Sequence, residues 1–206
     1  MASIVQELTR KQLIRPPSHV EKGIQYEVYM GSIAYGVSND MSDIDIYGFS
    51  IPSKNMIFPH LDGIIPGFGR QVKRFEQYQQ HGIKEENNKK EYDITIYNIV
   101  KYFQLCMANN PNMIDSLFVP ERCISFMTPI GNMVRDNRRL FLHKGAYHKY
   151  KGYAYSQLHK CRIKTNPTGK RKELVKKYGF DTKFGISHSE IITSNRTNYD
   201  RRRFRF

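Results

Sequence analysis

Between residues 4 and 15 the apolar positions of IVQELTRKQLIR recur at helical spacing, and Pro16-Pro17 stop the run. A short amphipathic helix is expected there. The period then falls to two. Gln25 to Met30 (QYEVYM) alternates and is rich in β-formers, which predicts a strand ending abruptly at Gly31-Ser32. IAYGV beyond it fits a short helical turn. Residues 43–51 (DIDIYGFSI) alternate again and form the second expected strand, with Asp43 and Asp45 on one face and Ile44 and Ile46 on the other. From 52 to 90 the pattern dissolves into Pro, Gly and polar residues. That stretch reads as loop, the run KEENNKK as its solvated part, and RQVKRFEQY as a strand or a helical turn.

Tyr92 to Tyr97 (YDITIY) predicts a third strand, passing into a helix through NIVKYFQLCMA. Asn110-Pro111 opens a short helix, NMIDSLF. Thr128-Pro129 is an N-cap and first-turn pair for another. Residues 144–163 read as a long, basic, tyrosine-rich helix, and 168–178 as one more. Strands come early and helices late, which is an α+β order. No internal repeat is visible.

The chain of 206 residues is long enough to bury a core without staples, and 39% hydrophobic with 13% aromatic residues is too rich for a disordered chain. Cys106, Cys123 and Cys161 lie far apart, an unpaired set that suits buried thiols in a reducing compartment rather than a zinc site. No apolar run has the length of a signal peptide or a membrane span, so a cytoplasmic protein without a membrane partner is expected. A formal charge of +14 favours polyanions such as RNA, DNA or a triphosphate, without choosing among them.

The chemistry concentrates in GSIAYGVSNDMSDIDIYGFSI, residues 31–51. A Gly-Ser bend at a strand end offers close backbone approach, N–H groups and a hydroxyl, all suited to phosphate oxygens. Asp-x-Asp on the next strand sets two carboxylates on one face, where they repel unless a cation lies between them. Such hard oxygen donors suit Mg²⁺ or Mn²⁺ shared with substrate phosphates. A third carboxylate would complete the set. Asp93 is the best candidate because it opens the β-rich run DITIY, and Glu91 is the runner-up. An isolated Asp-x-Asp or Gly-Ser is common on ordinary strands and turns; their conjunction at this spacing is what carries the signal. His19, His60, His81, His143, His148 and His159 show no ligand spacing and are read as surface or packing residues.

This stretch resembles the signature of the polymerase-β nucleotidyltransferase superfamily, a hydrophobic residue and Gly-Ser followed after about ten residues by Asp-x-Asp. GSIAYG with SDIDIYG is similar, more narrowly, to the RNA-repair-associated nucleotidyltransferases of bacteria and phages. Asp93 in DITIYNIVKYF, the segment from Asn110 through Phe118, and KKYGFDTKF (Lys176 to Phe184) extend the likeness over most of 24–184. The resemblance implies a small mixed sheet flanked by helices as catalytic core (1–125) and a helical extension (126–184). It implies nucleotide-binding roles for Gly31, Ser32 and Lys183, with Lys176 or Arg171 as further phosphate contacts. It also implies metal-binding and catalytic roles for Asp43, Asp45 and Asp93. Asn110, Pro111 and Asn112 are expected to shape a helix rather than to touch substrate.

Residues 185–206 depart from the family pattern and form an atypical basic tail, expected to be frameshifted or disordered. Gly185 to Tyr199 can be written in codons that, read one base later, spell EYHIVRLLLATEQT, an amphipathic helix of the family type; the coding DNA decides this. Read as native, Arg201, Arg202, Arg203 and Arg205 with Phe204 and Phe206 would bind phosphates and stack on bases.

The expected activity is Mg²⁺-dependent transfer of a nucleoside monophosphate from an NTP to a hydroxyl, an RNA end being favoured and a protein hydroxyl the alternative acceptor. Two further readings stand beside it: a basic nucleic-acid-binding module on a degenerate scaffold, and a structural or interaction protein.

Overall fold

The structure, a computed structural model, describes residues 2–38, 42–65, 67–69, 74–85, 90–162, 172, 175–177 and 179. Its centre is a five-stranded mixed sheet in the order β3-β4-β2-β1-β5. The strands are β1 (Ile24–Tyr29), β2 (Ile44–Ser50), β3 (Gln77–Glu85), β4 (Lys90–Asn98) and β5 (Ile124–Met127). β2 runs parallel to β4 and antiparallel to β1, while β3 and β5 close the two edges in antiparallel pairing. The helices are α1 (Ile4–Arg10), α2 (Ser18–Gly23), α3 (Gly31–Ala34), α4 (Lys54–Ile57), α5 (Ile99–Met107), α6 (Pro111–Phe118), α7 (Pro129–Asp136) and α8 (Gly145–Arg162).

Because side chains alternate across a strand, each face of the sheet builds its own core. Tyr26, Val28 and Phe49 face α5, α6 and α8 and pack with Tyr102, Ile114, Leu117 and Tyr150. Ile46, Ile94 and Ile96 face α1 and α2 and pack with Val5, Leu8 and Val20. Glu27 is fully buried on β1 and acts as an anchor for α1. Its carboxylate accepts from Ser3 Oγ at 2.6 Å and from the Ile4 and Val5 N–H groups at 2.8 and 3.3 Å, donors that a helix start leaves unpaired.

Local signals set the helix starts. Asn98, Asn110 and Thr128 each accept a first-turn N–H, from Val100, Met113 and Gly131 respectively, and Pro111 and Pro129 follow two of these caps. The first helix is shorter than its apolar period suggests. It stops at Arg10 because Gln12 turns left-handed (φ 58°), and α2 begins after Pro17.

The expected loop over 52–90 needs correction. It contains α4, a 3₁₀ turn at Pro59–Asp62 and the whole of β3, and Lys84, Glu85 and Lys90 of the charged run sit in the β3–β4 pairing rather than in a solvated loop. β3 is an edge strand whose neighbour supplies its ladder, so its polar sequence needs no apolar face of its own. β5 likewise joins the sheet from a segment with no strong alternation. Of 168–178, only 172 and 175–177 are described, in helical conformation; the tail 185–206 lies outside the described residues. Among the described residues no helix is long and apolar enough to cross a membrane.

Candidate active site

β1 and β2 are antiparallel, so the end of β1 lies beside the start of β2. The bend at Gly31-Ser32 therefore meets the acidic end of β2 directly. The Met30 N–H donates to the Asp45 carbonyl at 2.8 Å and fixes this junction. Gly31 takes φ +57°, and a Cβ added there would collide with Asp45 Oδ2. The glycine thus leaves a cradle that the Asp45 carboxylate fills. Ser32 follows in the first turn of α3, half-buried.

The parallel pairing of β2 with β4 places Asp45 opposite Asp93. Paired positions on neighbouring strands lie about 4.8 Å apart and project to the same side of the sheet. Asp43 lies exposed, just before β2 and two residues from Asp45. Glu91 is a half-buried β4 residue two positions before Asp93.

Asp93 has two neighbours that the pattern of residues did not reveal. The β3–β4 register shifts between Gln80 and Ile83, and this bulge turns Gly82 to φ +65° and aims its N–H at Asp93 Oδ1, 2.8 Å away. His81 Nδ1 lies 3.2 Å from Asp93 Oδ2, and its Nε2 lies 2.7 Å from Gln79 Nε2. Each Asp93 oxygen keeps a second lone pair for another partner. His81, read from the sequence as a surface or packing residue, is exposed and is also a side-chain partner of Asp93 across the β3–β4 pairing.

The floor of the site is also unforeseen. Tyr47, two positions beyond Asp45 on the same face, is pushed up to about 12, by burial first and then by the negative potential of its surroundings, which include Tyr97, Asp45, Tyr153 and Asp93. It stays a neutral phenol. The only hint in the sequence was the alternation that puts Tyr47 in line with the aspartates.

Lys183 and Arg171 lie outside the described residues, and Lys176 is exposed. Among the described residues no three His, Cys, Asp or Glu side chains gather closely enough to hold a metal by themselves. The Asp45–Asp93 pair, all hard oxygen, still suits an ion whose remaining ligands come from a substrate, the usual habit of Mg²⁺.

A mixed sheet flanked by helices, with a Gly-Ser bend against paired strand aspartates, is a polymerase-β-like architecture. The chain belongs to the RNA repair pathway DNA polymerase beta family, whose model matches residues 5–196 and so runs past Phe184 into the tail. It is also similar, at 25% identity over 150 residues, to an uncharacterized 38.9 kDa protein in the nrdC-mobD intergenic region of Enterobacteria phage T4. That match takes in 72% of this chain and 41% of the phage protein. Family membership supports a role in nucleotidyl transfer.

Proposed function

We propose that this chain moves a nucleoside monophosphate from an NTP to a hydroxyl acceptor, with an RNA end as the favoured acceptor, and releases pyrophosphate. The single observation that carries the reading is the register pair Asp45–Asp93 on adjacent parallel strands, set beside the Gly31 bend. Asp45 and Asp93, joined by Asp43, would hold Mg²⁺ or Mn²⁺ together with the triphosphate. Bound there, the ions would neutralise the pyrophosphate charge and lower the pKa of the attacking hydroxyl.

The chain's own residues do the positioning. Gly31 and Ser32 receive triphosphate oxygens close to the backbone, and Lys183 adds a cation. His81 and the Gly82 N–H hold the Asp93 carboxylate from the neighbouring β3 strand. In the reaction the acceptor oxygen bonds to the α-phosphorus as the bond to the β-phosphate oxygen breaks. The hydroxyl proton leaves to a carboxylate or to water. Binding energy is spent on alignment, since phosphoryl-type transfer asks little covalent chemistry of the protein.

The test is incubation of the full chain with α-labelled NTPs, divalent metal and either RNA or protein acceptors, with products identified by mass. Label should appear in an acceptor only with metal present, and Asp43→Ala, Asp45→Ala and Asp93→Ala should each abolish it. Undiminished transfer by these variants would end the proposal. The hydrogen bonds already made by Asp93 favour one second reading, a polynucleotide-binding module with little catalysis, in which binding would persist without metal.

A further inference from the structure

α8 carries no acidic residue along its 18 positions, GAYHKYKGYAYSQLHKCR. Its inner side belongs to the fold. Ala146 and Tyr150 pack in the first core, the Tyr150 hydroxyl donates to Asp115 at 2.9 Å, and Tyr153 packs against that core as Tyr47 does, on the face of the sheet that carries Asp45 and Asp93. Its outer side does something the fold does not need. Tyr147 and Tyr155 stand 60% and 62% exposed, and the Lys151 ammonium lies 5.8 and 5.9 Å from their ring centroids.

Positions 147, 151 and 155 follow the i, i+4, i+8 spacing of one helix face, a stripe about 12 Å long. A single exposed tyrosine would need no explanation. Two rings flanking one cation, on a helix without carboxylates in a chain of +14, reproduce the parts of a single-strand binding surface: faces for bases to stack on and charge for phosphates. A second copy of this chain would bring the same positive charge and be repelled, and a duplex hides its base faces.

We propose that Tyr147, Lys151 and Tyr155 form a stacking platform for a single-stranded polynucleotide, and that α8 thereby delivers the acceptor strand to the face holding Asp45 and Asp93. The proposal deepens the nucleotidyl-transfer reading and rests on it for the strand's role as acceptor.

Fluorescence anisotropy with the full chain tests it, using a short labelled RNA strand, the same sequence as DNA, and a duplex, at low and moderate salt. Tyr147→Ala with Tyr155→Ala should weaken single-strand binding about tenfold or more, while Tyr147→Phe with Tyr155→Phe should keep it, because stacking needs the ring and not the hydroxyl. Lys151→Gln should weaken binding and flatten its salt dependence. All three positions are exposed, so melting temperature should not move. Tighter binding of RNA than DNA, or the reverse, supports the platform and identifies the strand.

Wild-type affinity in the double Tyr→Ala variant, or an equal loss of duplex binding, would overturn the platform. The two readings fail separately. Stacking without metal-dependent labelling leaves the platform and removes the transfer activity. Metal-dependent labelling of a protein acceptor by the unaltered chain, with no measurable single-strand binding, does the opposite.

Discussion

A methyl group at position 31 would have to occupy the space of the Asp45 carboxylate, on a backbone whose φ of +57° side chains rarely adopt. Gly31→Ala should therefore displace Asp45, lower stability by about 1–3 kcal/mol and abolish label transfer; an alanine variant that melts and labels normally would contradict this geometry. Asp115 offers a test that pH can read. Its carboxyl is enclosed between α3, α6 and α8 and accepts the Tyr35 and Tyr150 hydroxyls at 2.9 Å each, yet burial outweighs them and pushes it up to about 6. A carboxyl raised in the folded state lends its full stability below its unfolded value of about 4 and loses it as pH rises through about 6. Asp115→Asn keeps an acceptor without a charge. Denaturant unfolding should show the variant gaining about 2–3 kcal/mol on the unaltered chain between pH 4 and pH 7; parallel curves would rule the burial cost out.

At the scale of elements, the β3–β4 hairpin matters as more than an edge of the sheet. Its bulge brings Gly82 and His81 to Asp93, the kind of outer contact that orients a metal-binding carboxylate. His81→Ala should leave the fold intact and raise the Mg²⁺ concentration needed for labelling about tenfold, and an unchanged metal titration would show His81 to be a bystander. The first strand of this hairpin, β3, was also the least legible part of the sequence. QYQQHGIKE has no apolar alternation, because on an edge strand the partner β4 and the bulge decide the structure. The strand bearing Asp45 was legible, since Ile44 and Ile46 must enter a core and so turn the acid to the other face, though it begins at Ile44 and leaves Asp43 just before it. The pairing of Asp45 with Asp93 was expected only as proximity. Parallel register across an intervening hairpin is fixed by long-range packing, which local spacing does not encode.

For the molecule as a whole, the two cores clamp one sheet, and Asp45 and Asp93 pair on its interior strands β2 and β4. The N-terminal helix is held on the opposite face by Glu27. Replacing Glu27 with Ala should cost about 3 kcal/mol, through loss of a buried acceptor of three hydrogen bonds, and thermal melting would register it. Charge follows the same plan, with a basic, aromatic α8 packed in the core on the side of the sheet that carries the aspartates.

The most direct test is a Mn²⁺ titration followed by electron paramagnetic resonance, with a non-hydrolysable NTP analogue present. The unaltered chain should bind Mn²⁺ in the presence of the analogue, and Asp45→Asn and Asp93→Asn should each lose that binding while remaining folded. Equal Mn²⁺ uptake by all three proteins would mean that the two carboxylates share no ion.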